Sequence, residues 1–296
     1  MIPEERSEEG LYTLPGVPGS FSEMFWRSQT LTFDAHLGKI WLMVSADNRN
    51  STIGWKARLG VIVLATNLTV EHEFRQMVPE GVSFHIARCL IKDTARNETE
   101  KEKQFLEIGE NILEAARQVA MVQPAIILFA CTIGSSLKGP GHDIDLSEKI
   151  TQVTGIPSIT TASAVLEAIQ SFGLKKILLI TPYPEEMGGK EKEFLEQSIP
   201  GLRVLRMKHL GIVSSFEKNL LPPESAFSLA KEIACEEADG LFISCTAWRT
   251  SELIETLEKD LQIPVITSNQ ASLWACLKRC QVRGLLQYGR LFRLPY

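Results

Sequence analysis

Ala125-Ile-Ile-Leu-Phe-Ala-Cys131-Thr132 and Asp239-Gly-Leu-Phe-Ile-Ser-Cys245-Thr246 read almost alike. Each is a short apolar run ending in Cys-Thr, and the cysteines stand 114 positions apart, from 131 to 245. A run of this length, bounded by Pro124 on one side and turn residues on the other, fits a fully buried parallel strand. The Cys-Thr pair then falls at the carboxyl end of the strand, where open α/β sheets place their chemistry. Two equivalent halves, each delivering one thiol, predict a cleft with a cysteine on each wall.

Other landmarks repeat around this pair. Gly155-Ile-Pro-Ser-Ile-Thr160 matches Gln262-Ile-Pro-Val-Ile-Thr267 at an offset of 107, from 160 to 267. Leu59-Gly-Val-Ile-Val-Leu-Ala-Thr66-Asn67 corresponds in place to Ile177-Leu-Leu-Ile-Thr-Pro182-Tyr183. The rhythm between them is strand then helix. In the first half, strands are predicted over Leu59–Leu64, Val82–Arg88, Ala125–Ala130 and Pro157–Thr160. Helices open near Thr69 and Ile144, and one long amphipathic helix covers Glu100–Val122. The second half reads Ser163–Phe172 helix, Lys176–Thr181 strand, Glu186–Gln197 helix and Arg203–Lys208 strand. It continues with Glu224–Glu237 helix, Gly240–Ser244 strand, Ser251–Leu261 helix and Pro264–Thr267 strand. Such alternation implies βαβ units and parallel sheets, here duplicated. Residues 1–53 do not match: Leu11–Ser22 is irregular, with Pro15 and Pro18, and Phe25–Ala46 suits a strand or two. The domain expectation is an N-terminal extension at 1–53, a first lobe of 54–162 plus 268–296, and a second lobe of 163–267.

Composition narrows the class of protein. At 296 residues, 44% hydrophobic and 23% charged, the chain has the make-up of a soluble globular protein. A net charge of −5 without a dense Lys/Arg run argues against nucleic acid as a partner. No stretch approaches the roughly 20 apolar residues of a membrane span. The acidic start lacks the basic-then-apolar order of a secretory signal, so a cytoplasmic protein with free thiols is expected. The six cysteines, at 89, 131, 235, 245, 276 and 280, form no C-x-x-C pair. A zinc site needs tighter clustering with His, so no metal is expected. Cys89, Cys235, Cys276 and Cys280 sit in helix- or strand-like patterns and read as small buried hydrophobes.

Each half contributes two strand ends to the cleft: Thr66-Asn67 and Cys131-Thr132 from the first, Pro182-Tyr183 and Cys245-Thr246 from the second. Strand-to-helix turns aim backbone N–H groups into such a cleft, a ready site for carboxylate oxygens. The same helix ends are expected to lower a thiol's pKa. Asn67 donates from its amide, and Thr132, Thr246 and Tyr183 from their hydroxyls. Asn67 also suits a plain helix cap, and Tyr183 between two prolines a rigid turn. Gly139-Pro140-Gly141-His142-Asp143 lacks the G-x-x-x-x-G-K-[ST] pattern and reads as a loop on the cleft rim. No Ser/His/Asp set is evident.

These residues resemble the aspartate/glutamate racemase superfamily, in its branch of maleate cis–trans isomerases and arylmalonate decarboxylases. The matching text includes Gly60–Glu71, Pro79–His85, Cys131–Ser135, Gly139–Gly141, Gly155–Thr161, Thr181–Tyr183, Ser244–Thr246 and Gln287–Leu291. It runs from about Gly54 to the end. The resemblance implies two pseudo-symmetric parallel α/β lobes, an active site between them, no metal or organic cofactor, and a homodimer. In the decarboxylases the first cysteine is replaced by glycine, whereas this chain keeps both. The resemblance therefore implies an isomerase of a small dicarboxylate, with Cys131 as nucleophile and Cys245 as acid/base. Thr66, Asn67, Tyr183 and the Thr132 and Thr246 turns would hold the carboxylates.

Three departures bear on the substrate. Ile133 stands where relatives often carry Ser, and Leu64 where a proline usually precedes the Asn turn. An asparagine that isomerases place after the second strand of the second half is missing from Gly211-Ile-Val-Ser-Ser215. Either Ser214 or Ser215 substitutes for it or the contact is lost. Two further readings fit the same cleft: a two-base cysteine racemase of an acidic amino acid, and an accessory protein that binds a dicarboxylate without turnover.

Overall fold

The computed structural model describes residues 31–34, 39–42 and 52–295. Met1–Thr52 and Ile53–Tyr296 are separate units. In the first, Leu31–Asp34 (β1) and Lys39–Leu42 (β2) pair antiparallel, with Leu31 opposite Leu42. The irregular stretch expected over Leu11–Ser22 lies outside the described residues.

The second unit holds two four-stranded sheets, both wholly parallel. Ala57–Leu64 (β3), Val82–Cys89 (β4), Ile126–Ala130 (β5) and Ser158–Thr160 (β6) run in the order β4-β3-β5-β6. Lys176–Thr181 (β7), Arg203–His209 (β8), Gly240–Ile243 (β9) and Val265–Thr267 (β10) run β8-β7-β9-β10. The two orders are the same. The repeat in the sequence is thus a repeat of topology, and the α/β duplication stands.

Alternation along the central strands fixes which side chains enter which core. In β3, Leu59, Val61 and Val63 face one core while Ile62 and Leu64 face the other. In β5, Ile126, Leu128 and Ala130 face the first, and Ile127 and Phe129 the second. One more step carries Cys131 to the second core, and the same count along β9 carries Cys245 there after Leu241 and Ile243. The two thiols share a face because they share a parity.

Ten α-helices cover these sheets among the described residues. They are Thr69–Met77 (α1), Glu98–Glu107 (α2), Gly109–Ala120 (α3), Thr132–Ser136 (α4) and His142–Thr154 (α5). Thr161–Phe172 (α6), Glu185–Ser198 (α7), Pro223–Ile233 (α8), Ile254–Leu261 (α9) and Ser268–Arg279 (α10) follow. The expected helix over Glu100–Val122 is two helices, broken at Ile108, whose ψ is 1°. Gly109 starts the second; a glycine at that point lowers the gain from continuing one rod. Helix α10 has no counterpart in the sequence reading beyond the i,i+4 spacing of Cys276 and Cys280.

The repeated Ile-Pro-x-Ile-Thr text now has a local cause. Thr160 accepts from the Ser163 N–H at 3.2 Å and caps α6. Thr267 accepts from the Gln270 N–H at 3.3 Å while Gln270 Oε1 accepts from the Thr267 N–H, a capping box on α10. The two capped helices pack together. Thr161 and Ser272 hydroxyls meet at 2.9 Å, and Glu167 pairs with Lys278 and Arg279, each at 2.9 Å. The C-terminal helix therefore ties the two sheets into one body.

Candidate active site

Cys131 sits at the N-cap of α4, one residue past β5, and Cys245 two residues past β9. Both are buried free thiols, as are Cys89 and Cys276, while Cys235 and Cys280 are half-buried. Gly134 makes room at the first: a Cβ there would lie 2.9 Å from the Cys131 sulfur. With no side chain in the way, the Gly134 N–H bonds to that sulfur. The second thiol sits on an unusual backbone, with Cys245 at φ +107°. Non-glycine residues rarely hold such a φ unless the surroundings impose it. Here the surroundings do, since Cys245 N–H donates to Ser268 Oγ at 3.0 Å and Ala247 N–H to the Cys245 sulfur at 3.4 Å.

The two Cys-Thr turns are cross-braced. Thr132 Oγ1 donates to Ser268 Oγ at 2.8 Å, and Thr246 Oγ1 donates to the Ala130 carbonyl at 3.1 Å. Thr132 thus bonds to the first residue of α10, and Thr246 to the last residue of β5. Asn67 takes the capping role that the sequence allowed. Its carbonyl oxygen accepts from the Val70 N–H at 2.9 Å and caps the first turn of α1. Its amide N–H₂ group reaches across to Thr246 Oγ1 at 3.4 Å.

A small cavity of about 20 Å³ lies between these groups. Leu64, Thr66, Asn67, Cys131 and Ile133 line it from the first half, and Tyr183, Ser215, Lys218, Cys245, Thr246 and Ala247 from the second. Phe105 of α2 completes the wall. Of the residues singled out in the sequence, Thr132 and Ser214 are not in this lining. Thr132 is turned to Ser268, and the Ser214 hydroxyl donates to Asp93 at 3.0 Å. His142 at the start of α5 is also outside it.

Burial decides the charge state of the thiols. It pushes Cys131 up to about 12 against the pull of the Gly134 N–H, and the nearby Cys245 adds to the rise. Burial also raises Cys245, opposed by the Lys218 ammonium, the Ala247 N–H and a bond from the Tyr183 hydroxyl. Tyr183 is itself raised well above its ordinary value by burial. The expected lowering by helix ends is therefore overturned. Helix α4 has only five residues, and loss of water outweighs its weak positive end.

Lys218 is missing from the sequence reading, which had no reason to bring a lysine inward. It lies in the 3₁₀ turn Glu217–Leu220 and is 4% exposed. A neighbouring cluster holds that loop. Asp93 accepts from the Ser215 and Phe216 N–H groups at 2.8 and 2.9 Å and pairs with the buried Lys101 at 2.5 Å. Burial works against the Asp93 charge, but these bonds hold its carboxyl well below the usual carboxylate range. Asn219 clamps the other side, accepting from the Leu68 N–H at 2.9 Å and donating to the Thr66 carbonyl at 3.0 Å. The only advance signal for this region was the altered Gly211–Ser215 text. Among the described residues no three His, Cys, Asp or Glu gather as a metal site, and no helix is long and apolar enough to cross a membrane.

The family model described as arylmalonate decarboxylase, Amdase, matches residues 59–292. The chain belongs to this family. Among its relatives is the maleate isomerase of Nocardia farcinica, 25% identical over 252 residues that span 80% of this chain and 95% of the relative. Among solved structures, a cysteine-to-alanine variant of the maleate isomerase Iso from Pseudomonas putida S16, with maleate, superposes with a TM-score of 0.74. It is 20% identical and covers 81% of this chain and 98% of its own. A cysteine-to-serine mutant of Nocardia farcinica maleate cis–trans isomerase, with a covalently bound succinylcysteine intermediate, gives 0.73 at 21% identity, covering 81% and 99%. These Amdase relatives share the two-lobed fold.

Proposed function

We propose that this Amdase-family protein is a cofactor-independent cis–trans isomerase of a small dicarboxylate, with maleate as its reference substrate. One observation carries the reading: a thiol stands on each wall of one cavity, at equivalent strand ends of a duplicated fold. The decarboxylases, by the resemblance drawn from the sequence, keep one thiol only. A maleate isomerase relative that holds a succinylcysteine supports a cysteine nucleophile.

In the scheme, Cys131 thiolate forms a C–S bond to one alkene carbon of maleate. The electron pair of the double bond takes a proton from the Cys245 thiol at the other carbon, giving a succinyl thioether. The central C–C bond, now single, rotates. Cys245 thiolate takes a proton back, the C–S bond breaks, and fumarate leaves with Cys131 again a thiolate. A nucleophile with a high pKa is present at a small fraction but is intrinsically the stronger one. The Asn67 amide, the Ser215 hydroxyl and the first-turn N–H groups after Cys131 supply donors to the carboxylates. Ile133 gives that pocket an apolar wall.

Incubation with maleate in deuterated buffer, followed by proton NMR, tests the reaction; fumarate is the expected product. Cys131→Ala is expected to remove turnover, and Cys245→Ser to leave a mass increase of one maleate on the protein. Full activity in Cys131→Ala ends the covalent scheme. Deuterium at the α-carbon of aspartate, without maleate turnover, replaces the isomerase with the two-base racemase. We further propose a cytoplasmic homodimer, checked by light scattering and by fractionation.

A further inference from the structure

We propose that Lys218 recognises the substrate's second negative charge, its ammonium taking one carboxylate of a dianion in the cavity between the two thiols. The inference rests on the reading of that cavity as a dicarboxylate site. Lys218 is almost wholly buried, and its Nζ donates to the carbonyls of Val213 and Ser214, each at 3.1 Å. An ammonium has three donors. The third has no protein acceptor among the described residues, and the side chain forms part of the cavity wall. Its Nζ also stands 5.7 Å from the centre of the Tyr183 ring, another element of that wall.

Among the described residues the charge has no counter-ion. No carboxylate lies within 4.0 Å of Lys218 among the described residues. The nearest acid in this part of the fold, Asp93, already serves Lys101, Ser214, Ser215 and Phe216. A buried cation without a partner is expensive, and chains rarely keep one unless something anionic arrives to pair with it. Burial lowers Lys218 to about 8, so an arriving carboxylate would restore the full charge. The competing role is to hold a cysteine as thiolate in the free enzyme, since Lys218 is the largest charge acting on Cys245. The geometry favours the substrate: the spare donor belongs to the cavity, while Cys245 already has the Ala247 N–H and the Tyr183 hydroxyl.

Lys218→Met is compared with the wild-type protein on maleate and on its monomethyl ester, which keeps the alkene but loses one charge. The rate of iodoacetamide labelling of the unliganded thiols is read in parallel. We expect kcat/KM on maleate to fall about 10- to 100-fold, as for loss of a charge-assisted hydrogen bond. The ester should change less than about threefold, and labelling, because Lys218 also acts on Cys245, should slow by no more than that. Equal losses on both substrates, or labelling slowed in step, overturn the proposal in favour of a thiolate partner. Lys218→Gln retains a donor for the Val213 and Ser214 carbonyls and replaces the Met variant if that one fails to fold. If the wild-type protein does not turn over maleate, the isomerase reading falls, and calorimetric titration with succinate and monomethyl succinate decides Lys218 separately. Selective weakening of succinate binding in the variant upholds the proposal. Unchanged binding, or no binding by the wild type, overturns it.

Discussion

At the scale of single residues, Gly134 and Cys131 depend on each other. An alanine at 134 would push its Cβ to 2.9 Å from the sulfur, so either the thiol or the short helix must shift. Gly134→Ala is expected to lower kcat about 100-fold, the usual result of moving a reacting atom by about 1 Å. A thermal melt should change little, which separates the effect from misfolding. Burial sets a second expectation. Because it pushes the Cys131 thiol up to about 12, the thiolate is the minor form throughout the physiological range. Iodoacetamide labelling of Cys131 should therefore rise about tenfold per pH unit between about pH 6 and 9, with no plateau. A plateau near pH 7 would contradict this.

Glu191 adds a pH effect on stability. Its carboxyl is buried beside Ser244, which donates to it at 2.5 Å, and burial pushes it up to about 8. The unfolded carboxyl titrates near 4.3, about the model-peptide value. Between these two values the folded state holds the extra proton, so Glu191's contribution to stability falls as pH rises. Glu191→Gln should remove that fall. In urea melts at several pH values, the variant should gain on the wild type by up to about 1.4 kcal/mol per pH unit in this window.

At the scale of elements, the loop between β4 and α2 does more than its sequence announces. Asp93 holds the Ser215–Phe216 backbone and neutralises Lys101, which is fully buried. Asp93→Ala would leave that ammonium alone and should destabilise the protein by about 3 kcal/mol, measured by urea unfolding. Gly109 presents the opposite case. Nothing lies within 4 Å of a Cβ built there, and its φ is negative, so Gly109→Ala should stabilise by about 0.5 kcal/mol. The elements themselves were legible because buried parallel strands are written as apolar runs and their helices as capped amphipathic segments. What escaped was irregular. The break at Ile108, before Gly109, and the 3₁₀ turn that carries Lys218 inward have no periodicity to announce them. Asn67 was legible as a cap or a ligand, and only the structure shows that its two ends do different things.

At the scale of the whole molecule, the duplication was readable from three echoes, because each marks an equivalent place: a strand end, a helix cap and a first βα turn. The ionisation of the cleft was not readable. A motif names the thiols but says nothing of how much water reaches them, and that is what sets their charge. Every residue assigned here to the cavity belongs to Ile53–Tyr296. A protein lacking residues 1–52 is expected to keep its melting temperature and its turnover within about twofold, since the cavity lining and both described cores are built from the other unit.

One oxygen atom links the two reactive turns. Ser268 Oγ accepts at once from Thr132 and from the backbone of Cys245, so both thiols are positioned with reference to it. Both acceptor sites of that hydroxyl are engaged by this arrangement. A change at 268 therefore disturbs the Thr132 turn and the Cys245 turn together. The same dependence makes any widening of the cleft and any loss of sulfur alignment a single event, so that a gaping enzyme is also an idle one.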